Sequence, residues 1–105
     1  MGDLRKEVLG KLDQDIDYVL DWFYYTEFPD RNAVVRELHS IVLDDGLPLT
    51  ARCHACDCLQ AFDWSWWPLN EVRDFREKLK SLRETPGLDV GFKSCLRGAM
   101  AGMHS

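Results

Sequence analysis

Apolar residues recur along most of this chain at steps of three and four positions, which is the spacing of a helix with one buried side. The first such stretch extends over residues 3–27 and carries Leu4, Val8, Leu12, Ile16, Leu20 and Phe23. Gly10 interrupts it, and a glycine costs a helix about 1 kcal/mol relative to alanine. The pattern predicts either one long helix or a short helix before a longer one, ending before Pro29.

The same spacing predicts three further helices. Asp30 is suited to cap the second, because its carboxylate can accept amide protons of the first turn, and residues 44–46 end that helix. The third extends over residues 49–62, is apolar nearly all round and is therefore expected at the centre of the molecule. The fourth follows a tryptophan-rich connection, extends over residues 69–82 and stops at residues 85–87.

No segment alternates apolar and polar residues over more than four positions, as a half-buried strand would. We therefore expect an all-α fold, a compact bundle of four or five helices arranged as antiparallel helical hairpins. A chain of 105 residues has room for one hydrophobic core, so residues 1–87 are assigned to a single helical domain. The C-terminal segment 88–105 carries a weaker apolar pattern interleaved with glycines, which leaves a docked short helix and a mobile tail both open.

One segment of the chain has a distinctive order of elements. Residues 32–58 consist of a predicted helix, the turn Asp44-Asp45-Gly46, and then Leu47-Pro48-Leu49-Thr50-Ala51-Arg52 opening a helix rich in small residues. This order resembles the junction between successive helical repeats of the HEAT type. The resemblance implies stacked antiparallel helix pairs and a role in binding proteins.

The distribution of charge is uneven. The formal net charge is -5, and the first 30 residues hold eight acidic against three basic residues, while the remainder of the chain holds ten of each. Residues 13–30 contain six acidic residues and no basic one. Direct binding to nucleic acid is disfavoured, because phosphate contacts need clustered Lys and Arg. A protein partner with a basic surface suits this balance.

The acidic stretch includes a regular ridge with aromatic residues beside it. Asp13, Asp17 and Asp21 are spaced four apart, and Tyr18, Trp22 and Tyr25 recur on a neighbouring row of the same predicted helix. Such a ridge is either a solvated face or a docking surface, in which the aromatic residues supply binding energy and the charges supply steering. A further group, Trp64, Trp66 and Trp67, either fills the space between two helices or anchors a partner.

The cysteines form a second candidate site. Cys53, His54, Cys56 and Cys58 lie within six residues, and Cys95 is the remaining cysteine. Their number would satisfy a tetrahedral zinc ion, although on a helix Cys58 points away from the face shared by Cys53 and Cys56. The alternatives are small apolar residues packed in a buried helix and a redox-active Cys-x-x-Cys pair.

Other activities have little support in the sequence. No spacing assembles a nucleophile, a base and an orienting group around His39, and no phosphate-binding loop is present, so no catalytic residues are assigned.

We expect a small, acidic, non-enzymatic protein that binds another protein, such as an inhibitor or an immunity- or antitoxin-like factor for a basic, nucleic-acid-handling target. The alternative is a zinc or thiol site on the cysteine cluster; otherwise no cofactor is expected. The N-terminus lacks a signal-peptide pattern and no apolar run spans a bilayer, so a cytoplasmic location without membrane contact is expected.

Overall fold

The computed structural model describes residues 3–65 and 67–103. Within them the chain forms no strand and six α-helices: α1 (Asp3–Leu12), α2 (Ile16–Tyr25), α3 (Arg31–Leu43), α4 (Leu49–Ala61), α5 (Leu69–Arg83) and α6 (Val90–Ala101). The all-α prediction is confirmed. The described helices outnumber the four or five expected, because the first stretch is divided in two and residues 90–101 form a helix of their own.

The division of the first stretch lies at residues 13–15 and not at Gly10, which is inside α1. Asp15 precedes α2 with extended backbone angles, φ -60° and ψ 146°. Two short helices therefore replace the single amphipathic helix that the spacing of apolar residues allows. This break determines which acidic residues share one helix.

Helix α4 lies at the centre of the molecule, as its all-round apolar sequence predicts. It packs most extensively against α6 and α3, and it also contacts α1 and α2. Ala55, Cys58 and Leu59 of this helix are fully buried. The small side chains of Ala55 and Cys58 leave space for neighbouring helices on more than one side.

A buried arginine joins three of these helices. Arg52 of α4 donates a hydrogen bond from Nε to the carbonyl oxygen of Val42, near the end of α3, at 3.0 Å. Its guanidinium carbon lies 4.4 Å from the centre of the Phe92 ring on α6. Because the last carbonyl groups of a helix lack helical partners and carry partial negative charge, a cation at this end of α3 is stabilising.

Residues 90–101, for which the sequence left a packed helix and a mobile tail open, form α6. Asp89 caps this helix by accepting a hydrogen bond from the Phe92 amide at 2.9 Å. Phe92, Leu96 and, just beyond the helix, Met103 are buried in the same apolar core as the side chains of α1–α5. The radius of gyration of 12.9 Å is that of a compact chain of this length, about 13 Å.

The helices of the described residues are short, the longest being α5 with 15 residues. None of them combines the length and the apolar character that crossing a membrane requires.

Candidate protein-binding surface

Helix α2 has sharply different sides. Val19 and Phe23 are buried in the core, and they lie four residues apart on the inner side of the helix. The residues Asp17, Tyr18, Asp21, Tyr24 and Tyr25 are exposed, and their spacing of one, four, seven and eight positions places them on one side. We call these five residues the α2 face.

The tyrosines of the α2 face are unusually exposed for their size. The exposed fractions are 47% for Tyr18, 65% for Tyr24 and 80% for Tyr25. Tyr24 and Tyr25 have ring centres 5.9 Å apart and form one aromatic pair at the C-terminal end of the helix. A single exposed apolar residue needs no explanation, but three large aromatic rings on one side of a ten-residue helix form a patch.

The aspartates of the α2 face form no ion pair with any residue that the structure describes. No ion pair in the described part of the chain includes a residue between positions 13 and 30. Lys11 contacts the edge of the face, where its Nζ donates a hydrogen bond to the Tyr18 hydroxyl at 3.2 Å. Asp17 and Asp21, spaced four apart, therefore present their negative charge to solvent.

The C-terminal end of α2 is held by an arginine from α3. The guanidinium of Arg31 donates hydrogen bonds to the carbonyl oxygens of Phe23 at 2.8 Å and Thr26 at 2.9 Å. Its central carbon also lies 5.3 Å from the Phe23 ring centre and 4.9 Å from that of Phe28. The end of the helix that carries Tyr24 and Tyr25 is therefore anchored to α3.

The structure separates the residues predicted to form one ridge. Asp13 is exposed but lies in the break before α2, so only Asp17 and Asp21 share a helix. Trp22 is buried, with 9% of its surface exposed, whereas Tyr18 and Tyr25 on the same row of the helix are exposed. Tyr24 was not among the predicted residues, although its position three after Asp21 and seven after Asp17 would have indicated the same side of the helix.

Comparisons with known proteins do not indicate a function for the α2 face. No protein-family model, curated protein or solved structure matches the chain. The resemblance of residues 32–58 to a HEAT-type repeat stays a prediction from the sequence. Function is therefore inferred from the side chains that the fold exposes.

The tryptophan group contributes to the core where the structure describes it. Trp64 and Trp67 have 5% and 4% of their surface exposed and lie edge to face with ring centres 5.5 Å apart. Phe62 and Phe75 pack against both rings, and the Trp64 indole donates a hydrogen bond to the Leu59 carbonyl oxygen at 3.0 Å. Neither described indole is available to anchor a partner, and Trp66 lies outside the described residues.

The cysteines lie in the packing around α4. Cys95 of α6 lies close enough to Cys53 and Cys56 of α4 to raise the pKa of both thiols, whereas Cys58 is fully buried beside Asp57. Burial and the neighbouring Cys95 thiol raise the pKa of Cys53 to about 12. Burial likewise raises the pKa of Cys56, and it raises that of Cys58 to about 12. The raised pKa values favour the protonated form of these three thiols near neutral pH, and a protonated thiol is a poor nucleophile.

His54, the remaining member of the predicted metal cluster, forms a hydrogen bond with the backbone of α1. Its Nδ1 donates a hydrogen bond to the carbonyl oxygen of Leu12 at 2.8 Å. Across residues 3–65 and 67–103, no three His, Cys, Asp or Glu side chains converge in a way that could hold a metal ion. The described donor set does not fit a tetrahedral zinc site, which needs four converging ligands.

Among the described histidines, His39 is buried, and its contacts are structural. His39 is 5% exposed, stacks on the Phe75 ring with centres 4.2 Å apart, and places Nε2 3.2 Å from the Phe75 carbonyl oxygen. Burial lowers the pKa of His39 below its ordinary value. These contacts use the imidazole to join α3 to α5.

Proposed function

We propose that this chain binds another protein through the α2 face, and that the partner presents a basic surface. The observation that carries the proposal is the α2 face itself, on which three exposed tyrosines alternate with aspartates that have no ion-pair partner among the described residues. Among residues 3–65 and 67–103, no group of three His, Cys, Asp or Glu side chains could hold a metal ion and so point to a metal-based function instead.

The side chains of this face suit binding energetically. A tyrosine brings a large ring and a hydroxyl to an interface while losing little conformational entropy, since it has two side-chain torsions. Because Arg31 fixes the end of α2, Tyr24 and Tyr25 are presented from a backbone that needs little reorganisation. Preorganisation of this kind lowers the free-energy cost of association.

The charges indicate what kind of protein is bound. Asp17 and Asp21 on the face, with the exposed Asp13, Asp15 and Glu27 flanking it, form a negative region. Such a region accelerates encounter with a positive surface and disfavours negative partners. Proteins that handle nucleic acids carry basic surfaces, so we propose a nuclease or a related protein as the target. An acidic protein that covers such a surface inhibits it, which makes an inhibitor-, immunity- or antitoxin-like role the concrete form of the proposal.

The test compares two surface variants with a matched control. Asp17→Asn with Asp21→Asn removes charge from the face, and Tyr24→Ser with Tyr25→Ser removes its aromatic pair. Glu77→Gln with Glu84→Gln is the control, because it removes the same charge from exposed positions on and just after α5. Proteins captured from the source cells by the wild-type chain are purified and titrated with each variant by calorimetry at low and high salt.

We expect the purified partner to bind the wild-type and control chains equally and each α2 variant at least about tenfold more weakly. High salt should weaken the wild-type complex and should have little effect on the charge variant, because fewer interfacial charges remain to be screened. Equal affinity of all four proteins would reject the α2 face as the binding surface. An affinity that does not depend on salt would reject a basic partner.

A further inference from the structure

A small apolar cavity lies beside α2, between α1 and the start of α3. Its volume is about 280 Å³. Its apolar lining includes Leu4, Val8, Trp22 and Phe28, and its charged lining residues are Glu7 and Asp30. Drug-sized ligands occupy cavities of about 300–1,000 Å³. This cavity is smaller, and its size suits one large side chain of another protein.

The aromatic lining of the cavity is fixed before anything binds. The rings of Trp22 and Phe28 meet edge to face, with centres 5.4 Å apart and planes at 80°. Arg31 lies over the Phe28 ring at 4.9 Å while its own guanidinium holds the end of α2. An entering side chain therefore meets a preformed surface and does not have to open one.

Two carboxylates from different elements accompany the apolar lining. Glu7 lies on α1 and Asp30 precedes α3, and both are exposed. Asp30 Oδ1 accepts the hydrogen bond of the Ala33 amide at 3.1 Å, which leaves the second carboxylate oxygen for another donor. Neither Glu7 nor Asp30 forms an ion pair with any described residue. Lys or Arg residues flanking an apolar side chain would complement this arrangement.

The cavity adjoins the α2 face. Tyr18, Trp22 and Tyr25 are spaced four and three positions apart and lie on one row of the helix. The two tyrosines remain exposed, while Trp22 between them turns into the molecule and lines the cavity. A partner that covers the tyrosines therefore also reaches the opening beside Trp22.

We propose that this cavity receives a single large apolar side chain, flanked by Lys or Arg, from a basic segment of the protein partner. The inference rests on the proposed function in taking the partner to be a basic protein. It adds a specificity site, because many basic proteins would be attracted to the acidic region and few would place an apolar side chain between two positive ones here. A large apolar side chain leaving water on binding supplies affinity that charge alone does not.

The probes are two synthetic peptides of equal charge, Lys-Arg-Phe-Arg-Lys and Lys-Arg-Ala-Arg-Lys, each blocked at both ends. They are titrated into the full chain while its indole and amide NMR signals are recorded. The Trp22 indole reports on the cavity, and the Trp64 indole, buried elsewhere in the core, serves as the internal control. Two variants act on the cavity: Ala33→Leu places a larger side chain at its lining, and Glu7→Gln removes one carboxylate.

We expect the Phe peptide to shift the Trp22 indole signal and to bind about ten- to a hundredfold more tightly than the Ala peptide. Ala33→Leu should abolish this preference, and Glu7→Gln should weaken both peptides. Thermal unfolding of each variant shows that it is folded. Equal binding of the two peptides, or an unchanged preference in Ala33→Leu, would overturn the cavity site while leaving the α2 face untouched.

The α2 variant Asp17→Asn with Asp21→Asn separates the two proposals. If it weakens both peptides equally and the preference for Phe survives, the cavity and the face act independently and both proposals stand. If it has no effect while the preference for Phe persists, the cavity site stands and the charged face does not. Sedimentation gives a further outcome, since dimerisation that Ala33→Leu abolishes would make a second copy of this chain the occupant and overturn the proposal.

Discussion

The imidazole of His54 donates a hydrogen bond from Nδ1 to the carbonyl oxygen of Leu12 at 2.8 Å, across 42 positions of sequence. Leu12 is the last residue of α1, and the final carbonyl groups of a helix have no partner within it. The central helix α4 therefore supplies the hydrogen bond that lets α1 end at this residue. This contact satisfies a carbonyl group at the place where α1 and α2 are divided.

Replacing His54 by leucine should loosen the break between α1 and α2. His54→Leu retains much of the packing volume but removes the donor, which leaves the Leu12 carbonyl without this bond and lowers the free energy of unfolding by about 1–2 kcal/mol. Urea denaturation measures the loss, and amide exchange at residues 13–18 should become faster. His54→Asn, which keeps a donor near the same position, is the control and should retain most of the stability. Equal stability of the leucine variant and the wild type would show that this bond contributes nothing.

The sequence predicts those features of the fold that depend on neighbouring residues of the chain. Asp30 was expected to cap the second predicted helix, and it accepts the hydrogen bond of the Ala33 amide at 3.1 Å. The apolar character of residues 49–62 correctly placed that helix at the centre. A cap acts over three residues and an apolar pattern over one helix, so both are visible in a single stretch of sequence.

Features that depend on contacts between residues distant in sequence could not be predicted from the sequence pattern. Tyr18, Trp22 and Tyr25 occupy one row of α2, but only Trp22 is met by the Phe28 ring from beyond the helix and becomes buried. The carbonyl group of Leu12 at the break after α1 likewise receives its hydrogen bond from a side chain of α4, 42 positions away. The sequence therefore predicts that the candidate surface is acidic and aromatic. It does not predict which residues form that surface, because tertiary packing decides which rings remain exposed.

A pair of glycine substitutions with opposite expected signs tests the backbone of this fold. A Cβ atom built on Gly10 meets nothing within 4 Å, and the residue lies within α1. Gly10→Ala should therefore raise the free energy of unfolding by up to about 1 kcal/mol. Gly87 has a φ of 78°, which disfavours any residue with a Cβ, so Gly87→Ala should lower stability by about 1 kcal/mol. Chemical denaturation of both variants checks this, and a destabilised Gly10→Ala would contradict the helical placement of that residue.

Acidification should destabilise the protein through His39. Burial lowers the pKa of this residue below its ordinary value of 6.5. The hydrogen bond to the Phe75 carbonyl oxygen and the nearby Asp74 oppose the shift, and Lys78 adds to it. Below about pH 6.5 the unfolded chain therefore binds a proton that the folded chain resists. The stabilising contribution is fully present above this pH and is lost as the pH falls, with a slope of at most about 1.4 kcal/mol per pH unit.

The measurement for His39 is urea denaturation between pH 5 and pH 7.5 of the wild type and of His39→Gln. The glutamine can donate to the Phe75 carbonyl oxygen but does not titrate in this range. The difference in free energy of unfolding between the two proteins should change as the pH falls below about 6.5, in favour of the glutamine variant. Parallel pH profiles would show that His39 does not titrate differently in the folded and unfolded states.

The cysteines should remain free of zinc when the protein is purified without chelator and under reducing conditions. A tetrahedral zinc site needs four converging ligands, and in the described part of the chain no three His, Cys, Asp or Glu side chains converge in a way that could hold a metal ion. His54, which could supply a nitrogen, donates instead to the Leu12 carbonyl. Elemental mass spectrometry should therefore find far less than one zinc per chain. A stoichiometric ion lost in Cys53→Ser with Cys56→Ser would contradict this, since it would require α4 to unwind around the metal and give up its place at the centre of the core.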